Sequence, residues 1–195
     1  MGVASAKLGP GRTGANKGKS RGSGHGPMFG YPSDVRHWSD FPDGGGYPLG
    51  FVEWALEEME RVGGRAVDPA QVLHLCSGSM RTGIRVDIRP EMDPDIVADC
   101  RDVPLPDGSV DFIMADPPYS VEYAENLYGT GQHYPKPGQI LREASRLLRP
   151  GGMVGLLHHQ VPVFMRPLRL HKVYAVHRGL GFSLVAWSLL RKEEV

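Results

Sequence analysis

The chain has 195 residues, 41% hydrophobic and 23% charged, enough for one ordinary core and a short tail. Its 22 basic and 22 acidic residues cancel, which excludes a uniformly basic, histone-like protein. The charges are segregated, however: residues 1–26 carry +5, residues 27–135 carry −12 and residues 136–195 carry +7, so a local basic arm is compatible with the composition.

Residues 1–26 hold Lys7, Arg12, Lys17, Lys19 and Arg21 among Gly and Ser, with no acid. With so little to bury they read as a disordered basic tail, followed by one folded domain over residues 27–195. The tail lacks the apolar stretch of a secretory signal. Residues 27–49 are rich in Gly and Pro, with isolated aromatics at Phe29, Tyr31, Trp38, Phe41 and Tyr47, and read as an irregular segment wrapped on a core. From Phe51 the pattern becomes helical: Phe51, Trp54, Ala55 and Met59 share a face, and Gly63-Gly64 stops the helix. Short apolar runs of strand length follow at Val72–Cys76, Gly83–Ile88, Asp95–Ala98 and Val110–Ala115. Residues 139–149 form a second helix, ended by Pro150-Gly151-Gly152. Met153–Leu157, Lys172–His177 and Phe182–Leu190 read as three more strands, the last two as a hairpin-like return. This alternation predicts an α/β sheet with an antiparallel C-terminal edge.

No apolar run approaches the roughly 20 residues of a membrane-spanning helix, so no membrane partner is expected. Cys76 and Cys100 make no disulfide framework and are expected to be reduced, in a cytoplasmic setting. No His/Cys cluster has metal-ligand spacing. The adjacent His158 and His159 point to opposite faces of a strand, so no metal site is expected.

The sharpest feature is Asp116-Pro117-Pro118-Tyr119, directly after the apolar run Val110–Ala115. In an open α/β sheet, ligands sit at the carboxyl ends of strands. There a carboxylate accepts hydrogen bonds, two prolines stiffen the loop and aim its carbonyls outward, and a tyrosine offers a ring for stacking. The segment resembles the catalytic DPPY motif of class I amino-methyltransferases, the S-adenosylmethionine-dependent enzymes that methylate exocyclic base amines of DNA (adenine N6 and cytosine N4). The resemblance implies a Rossmann-like methyltransferase sheet, S-adenosyl-L-methionine as cofactor, and Asp116, Pro117 and Tyr119 as catalytic residues. Hydrogen bonds from the amine to Asp116 and to the Pro117 carbonyl would localise its lone pair for in-line attack, and Tyr119 would hold the extruded base.

Upstream, Cys76-Ser77-Gly78-Ser79 after an apolar run resembles the first cofactor loop of that class, and Asp87 corresponds to the acid that binds the ribose hydroxyls. Gly78 and Asp87 are only nine positions apart, where a dinucleotide fold leaves roughly 20; the first crossover helix is therefore expected to be reduced to a turn or lost. The resemblance makes Asp99 the acid facing the cofactor's adenine amine and Cys100 the backbone donor beside it. Leu147-Leu148-Arg149-Pro150-Gly151-Gly152 is similar to the helix stop before a core strand. After the motif, Tyr123, Tyr128, His133 and Tyr134 interleaved with Gly129, Gly131 and Gly138 read as an aromatic loop beside the site. There Pro118, Tyr123 and Tyr128 are candidate substrate contacts. The resemblance also makes the segment from Phe41-Pro42 through Tyr47-Pro48 and Phe51 a candidate cover for the methionine end of the cofactor, with simple packing of these aromatics as the alternative. Lys136, Arg142, Arg146, Arg149, Arg166, Arg169, Lys172 and Arg178 are candidates for a phosphate track.

The expected activity is methyl transfer to adenine N6 in DNA. The alternatives are cytosine N4, an RNA base, a protein or small-molecule amine, or a non-catalytic nucleic-acid-binding subunit that keeps the fold. The fold consumes nearly all of the chain after the tail and leaves no room for a large recognition region, which points to loose specificity or a partner that supplies it.

Overall fold

The computed structural model describes residues 33–38, 47–48, 50–162, 165–178 and 184–194. The basic tail and Phe29, Tyr31 and Phe41 lie outside the described residues. The first helix, α1 (Phe51–Gly63), buries Phe51, Ala55, Leu56 and Met59 and ends where Gly64 adopts φ 68°, as the Gly-Gly pair leads one to expect.

The described strands are β1 (Ser33–Trp38), β2 (Leu73–Leu75), β3 (Ile84–Asp87), β4 (Ile96–Val97), β5 (Val110–Ala115), β6 (Leu148–His158), β7 (Leu168–Arg178) and β8 (Leu184–Lys192). They form one sheet in the order β1-β7-β8-β6-β5-β2-β3-β4. Every neighbouring pair is parallel except the two that β8 makes, with β6 and with β7. The result is a Rossmann-like α/β sheet with the antiparallel C-terminal hairpin that the last apolar runs predict. The apolar runs locate every strand from β2 onward, and β5 has the bounds read from sequence.

Side chains alternate between two cores. Phe112 and Met114 of β5, Met153 and Leu157 of β6 and Trp187 of β8 pack with α1. Ile113, Ala115, Val154 and Leu156 pack on the other face with Ile140, Leu141, Ala144 and Leu147 of helix α3 (Pro137–Leu147). On β7 the alternation is broken by a register shift between Leu170 and Lys172, so Leu168 and Leu170 join the α3 face while Tyr174 and Val176 join the α1 face. The extra residue moves later side chains across the sheet. Gly155 permits this packing, since a Cβ there would lie 2.6 Å from the Trp187 indole nitrogen and 2.9 Å from Met59.

The early crossovers carry no α-helix. Residues 76–83 link β2 to β3, with Ser77 N–H donating to the Val86 carbonyl and Ile84 N–H to the Val72 carbonyl, both at 2.9 Å. Eight residues reach at most about 26 Å, and a three-residue strand needs a return of only about 10 Å. Gly83 makes the turn at φ 73°, where a Cβ would stand 2.5 Å from the Val72 carbonyl oxygen.

Three elements differ from the sequence reading. Residues 27–49 were expected to be irregular, yet Ser33–Trp38 forms β1, paired parallel to β7. The open edge of β7 supplies the hydrogen-bonding template that local composition does not announce. The aromatic loop contains a helix, α2 (Val121–Tyr128), whose N-cap Ser120 side chain accepts from Tyr123 N–H and whose C-cap is Gly129 at φ 64°. Finally, α3 runs straight into β6 at Leu148, and Pro150-Gly151-Gly152 lies within that strand as an irregularity opposite Val110–Phe112 rather than as a separate turn.

Candidate active site

The carboxyl ends of β2, β3, β5 and β6, with the stretch after β4, meet at one edge of the sheet. A cleft opens there, lined by Cys76, Gly78, Asp87, Ile88, Arg89, Asp99, Cys100, Pro118, Tyr128, Thr130, His133 and Pro135. Parallel pairing of β2 with both β3 and β5 brings these strand ends side by side, so the topology itself gathers residues 76, 87, 99 and 118.

Asp87 closes β3 and is buried. It accepts from Gly78 N–H at 2.8 Å and from the Arg89 N–H and Nε at 3.0 and 3.1 Å. Asp99 repeats this arrangement with Arg101, whose N–H, Nε and Nη2 donate at 2.9, 2.8 and 2.5 Å. The Arg101 guanidinium holds the Asp99 carboxyl below the usual carboxylate range. Each candidate cofactor acid is thus neutralised by an arginine two positions later. Sequence reasoning singled out neither arginine, because an acid-x-arginine spacing has no periodic signal; the repeated pattern Asp87-Ile88-Arg89 and Asp99-Cys100-Arg101 is what could have found them.

Cys76 takes φ 56°, unusual for a residue with a Cβ, and a hydrogen bond with Cys100 together with burial pushes its thiol pKa well up. Both cysteines are free thiols. Ser77 is buried and its hydroxyl has no protein partner. Ser79 does not line the cleft.

The Asp116–Tyr119 loop follows β5. Pro118 lines the cleft, whereas Tyr119 packs against the α1-side core. There the Tyr119 hydroxyl donates to Asp116 Oδ1 at 2.9 Å, and its ring meets His158 and His159 edge-on at 5.6 and 4.7 Å. Tyr123 lies 6.0 Å from the same ring and is 45% exposed. Pro117 is buried. Tyr134 donates its hydroxyl to the Tyr119 carbonyl at 3.3 Å. His158 is buried; its Nδ1 accepts from Gln160 N–H at 2.9 Å, which assigns the hydrogen to Nε2, and Nε2 has no protein hydrogen-bond acceptor. Burial, with His159 alongside, lowers its pKa to about 4, so the ring is neutral near pH 7.

Tyr128, expected among the substrate contacts, lines the cleft instead, with the Arg89 guanidinium 4.6 Å over its ring. Tyr47 stacks on Phe51 at 5.5 Å within the α1 core. Its hydroxyl is buried without a protein partner, and burial plus the nearby Asp116 raise its pKa. Three members of the expected phosphate track are engaged elsewhere. Arg146 pins Leu105 and Val103 carbonyls and the Asp107 and Glu143 carboxylates, Arg149 pairs with Asp111, and Lys172 lies over Tyr174. The Arg178 side chain lies outside the described residues. Among the described residues no cluster of three or more His, Cys, Asp or Glu is placed to hold a metal.

Residues 70–156, the stretch that holds the cleft acids and the Asp116 loop, match the family model of a methyltransferase domain. No curated protein matches the chain. Among solved structures, TrmN from Thermus thermophilus is 23% identical with a TM-score of 0.49, over 70% of this chain and 48% of its own. This chain therefore spans about half the length of that protein. A SAM-dependent methyltransferase from Aquifex aeolicus is 16% identical with a TM-score of 0.43, over 70% of this chain and 88% of its own. The match to a methyltransferase domain covers a little under half of the chain.

Proposed function

We propose that the chain methylates an exocyclic amine of a nucleobase, with adenine N6 in DNA as the first acceptor and cytosine N4 or an RNA base as the nearest others. The observation that carries this reading is the Asp116–Tyr119 loop at the carboxyl end of β5: Pro118 lines the cleft with Asp87 and Asp99, and Tyr119, tied to Asp116 at 2.9 Å, lies against His158 and His159. An acceptor amine held at Asp116 would meet the cofactor's reactive end directly beside this loop.

The cleft's donor set fits an adenosyl cofactor. Asp87 suits a ribose diol, Asp99 and the Cys100 N–H suit the adenine edge, and Cys76 and Gly78, which line the cleft, suit the amino-acid end. When bound, that cofactor supplies an electrophilic methyl group on a sulfonium. Asp116 and the Pro117 carbonyl accept the two amine hydrogens and concentrate the nitrogen lone pair, and Asp116 takes up the proton released. Tyr119 holds the flat face of the base. A partner that supplies sequence specificity belongs to the same proposal.

The test is transfer of labelled methyl from S-adenosylmethionine onto DNA, RNA and protein, with the modified nucleoside identified by mass spectrometry. Label in N6-methyladenosine of either nucleic acid supports the reading; label in protein alone overturns it. Asp116→Ala should lower transfer at least about 100-fold while calorimetry still detects cofactor binding. Retained turnover would remove Asp116 from the chemistry.

A further inference from the structure

A carboxylate offers about four acceptor positions, and those of Asp87 are all taken. Oδ1 accepts the Arg89 N–H at 3.0 Å and Nε at 3.1 Å. Oδ2 accepts Gly78 N–H at 2.8 Å and Arg89 Nη2 at 3.4 Å. Two of these donors are backbone groups fixed by the path of the chain. The other two belong to one side chain, the Arg89 guanidinium, which is 15% exposed against 4% for Asp87. A vicinal diol arriving at Asp87 brings two O–H donors of its own. Only the guanidinium can make way for them without unmaking the loop.

The guanidinium also has somewhere to remain. It already lies 4.6 Å over the Tyr128 ring, a cation–π contact that does not need Asp87. Asp99 is different: its Oδ2 accepts only Arg101 Nη2, at 2.5 Å, which leaves one position for an incoming amine.

We infer that Arg89 is an affinity-determining residue of the cleft: its guanidinium competes with the ribose diol of the cofactor for Asp87, and yields the carboxylate while staying on Tyr128. The inference rests on the proposed cofactor site. It also distinguishes the two arginines, since Arg89 must move when cofactor binds and Arg101 need not.

The experiment is calorimetric titration of the parent chain and of Arg89→Met with S-adenosylhomocysteine and with its 2′,3′-dideoxy analogue. Methionine keeps the length of the stem and removes every donor. S-adenosylhomocysteine should bind Arg89→Met roughly three- to tenfold tighter than the parent, and the dideoxy analogue should bind the two proteins alike. Equal or weaker binding of S-adenosylhomocysteine to the variant overturns the inference, as does an equal gain for the analogue without a diol. Arg89→Lys, which keeps the charge but cannot fork across both oxygens, should show a smaller gain and decides the matter if Arg89→Met does not fold. Absence of binding to the parent chain would instead overturn the cofactor reading on which the inference stands.

Discussion

Two buried histidines, His74 and His158, sit beneath the active edge, and burial lowers the pKa of each to about 4. In the unfolded chain they take up protons near pH 6.5. Between about pH 6.5 and 4 the unfolded state therefore binds more protons, so stability rises with pH across that window and is lost as pH falls through it. Urea midpoints measured from pH 7.5 down to 4.5 should decline, and His158→Gln should flatten part of that decline. An unchanged slope in the variant would mean that His158 is not buried in its neutral form. The catalytic candidate Asp116 was legible at this scale because an acid, two prolines and an aromatic after an apolar strand have few other uses. Arg89 was not, because its significance depends on a carboxylate already filled and a ring 39 positions away in sequence, at Tyr128.

At the scale of elements, hydrophobic runs located the strands from β2 to β8, since a buried parallel strand needs an uninterrupted apolar stretch. What escaped was structure set by neighbours rather than by composition. Strand β1 forms on the open edge of β7, and α2 rests on two end signals, Ser120 and Gly129, across a run of aromatics that suits many conformations. The shortened crossover was legible from the nine positions between Gly78 and Asp87, and its hinge is Gly83. Gly83→Ala would force a Cβ to 2.5 Å from the Val72 carbonyl oxygen at a positive φ, a cost of about 2–3 kcal/mol. A urea titration should show that loss. Cofactor binding should weaken as well, because the same turn sets Asp87 against Gly78 N–H. Full retention of both would mean that the crossover relaxes freely.

For the whole molecule, zero net charge conceals an internal settlement. Much of the acidic middle is paired within itself or with nearby arginines: Asp87 with Arg89, Asp95 with Arg85, Asp99 with Arg101, and Asp111 with both Arg65 and Arg149. In the basic final third Arg146 and Arg149 are spent in the same way. The five basic residues of the tail are further candidates for contact with a polyanion. Deleting residues 1–26 should weaken DNA binding and lower the slope of log affinity against log salt by up to about four. Fluorescence anisotropy in a sodium chloride series measures it; an unchanged slope would assign the tail no part in binding.

The crossovers without an α-helix on the β2–β3–β4 side have one more consequence. On the other side of β5, long strands are held between α1 and α3; here β3 and β4 have four and two residues, and Val97 is 56% exposed. Such an edge has little to lose by opening, so it forms the first cooperative unit to separate from the native state. Its amides should exchange with deuterium well before those of β6 and β8. A ligand that spans Asp87 and Asp99 ties β3 to the stretch after β4, so S-adenosylmethionine should slow exchange there and leave the β6–β8 ladder unaffected. On the proposed site, cofactor binding and the folding of that edge become one equilibrium.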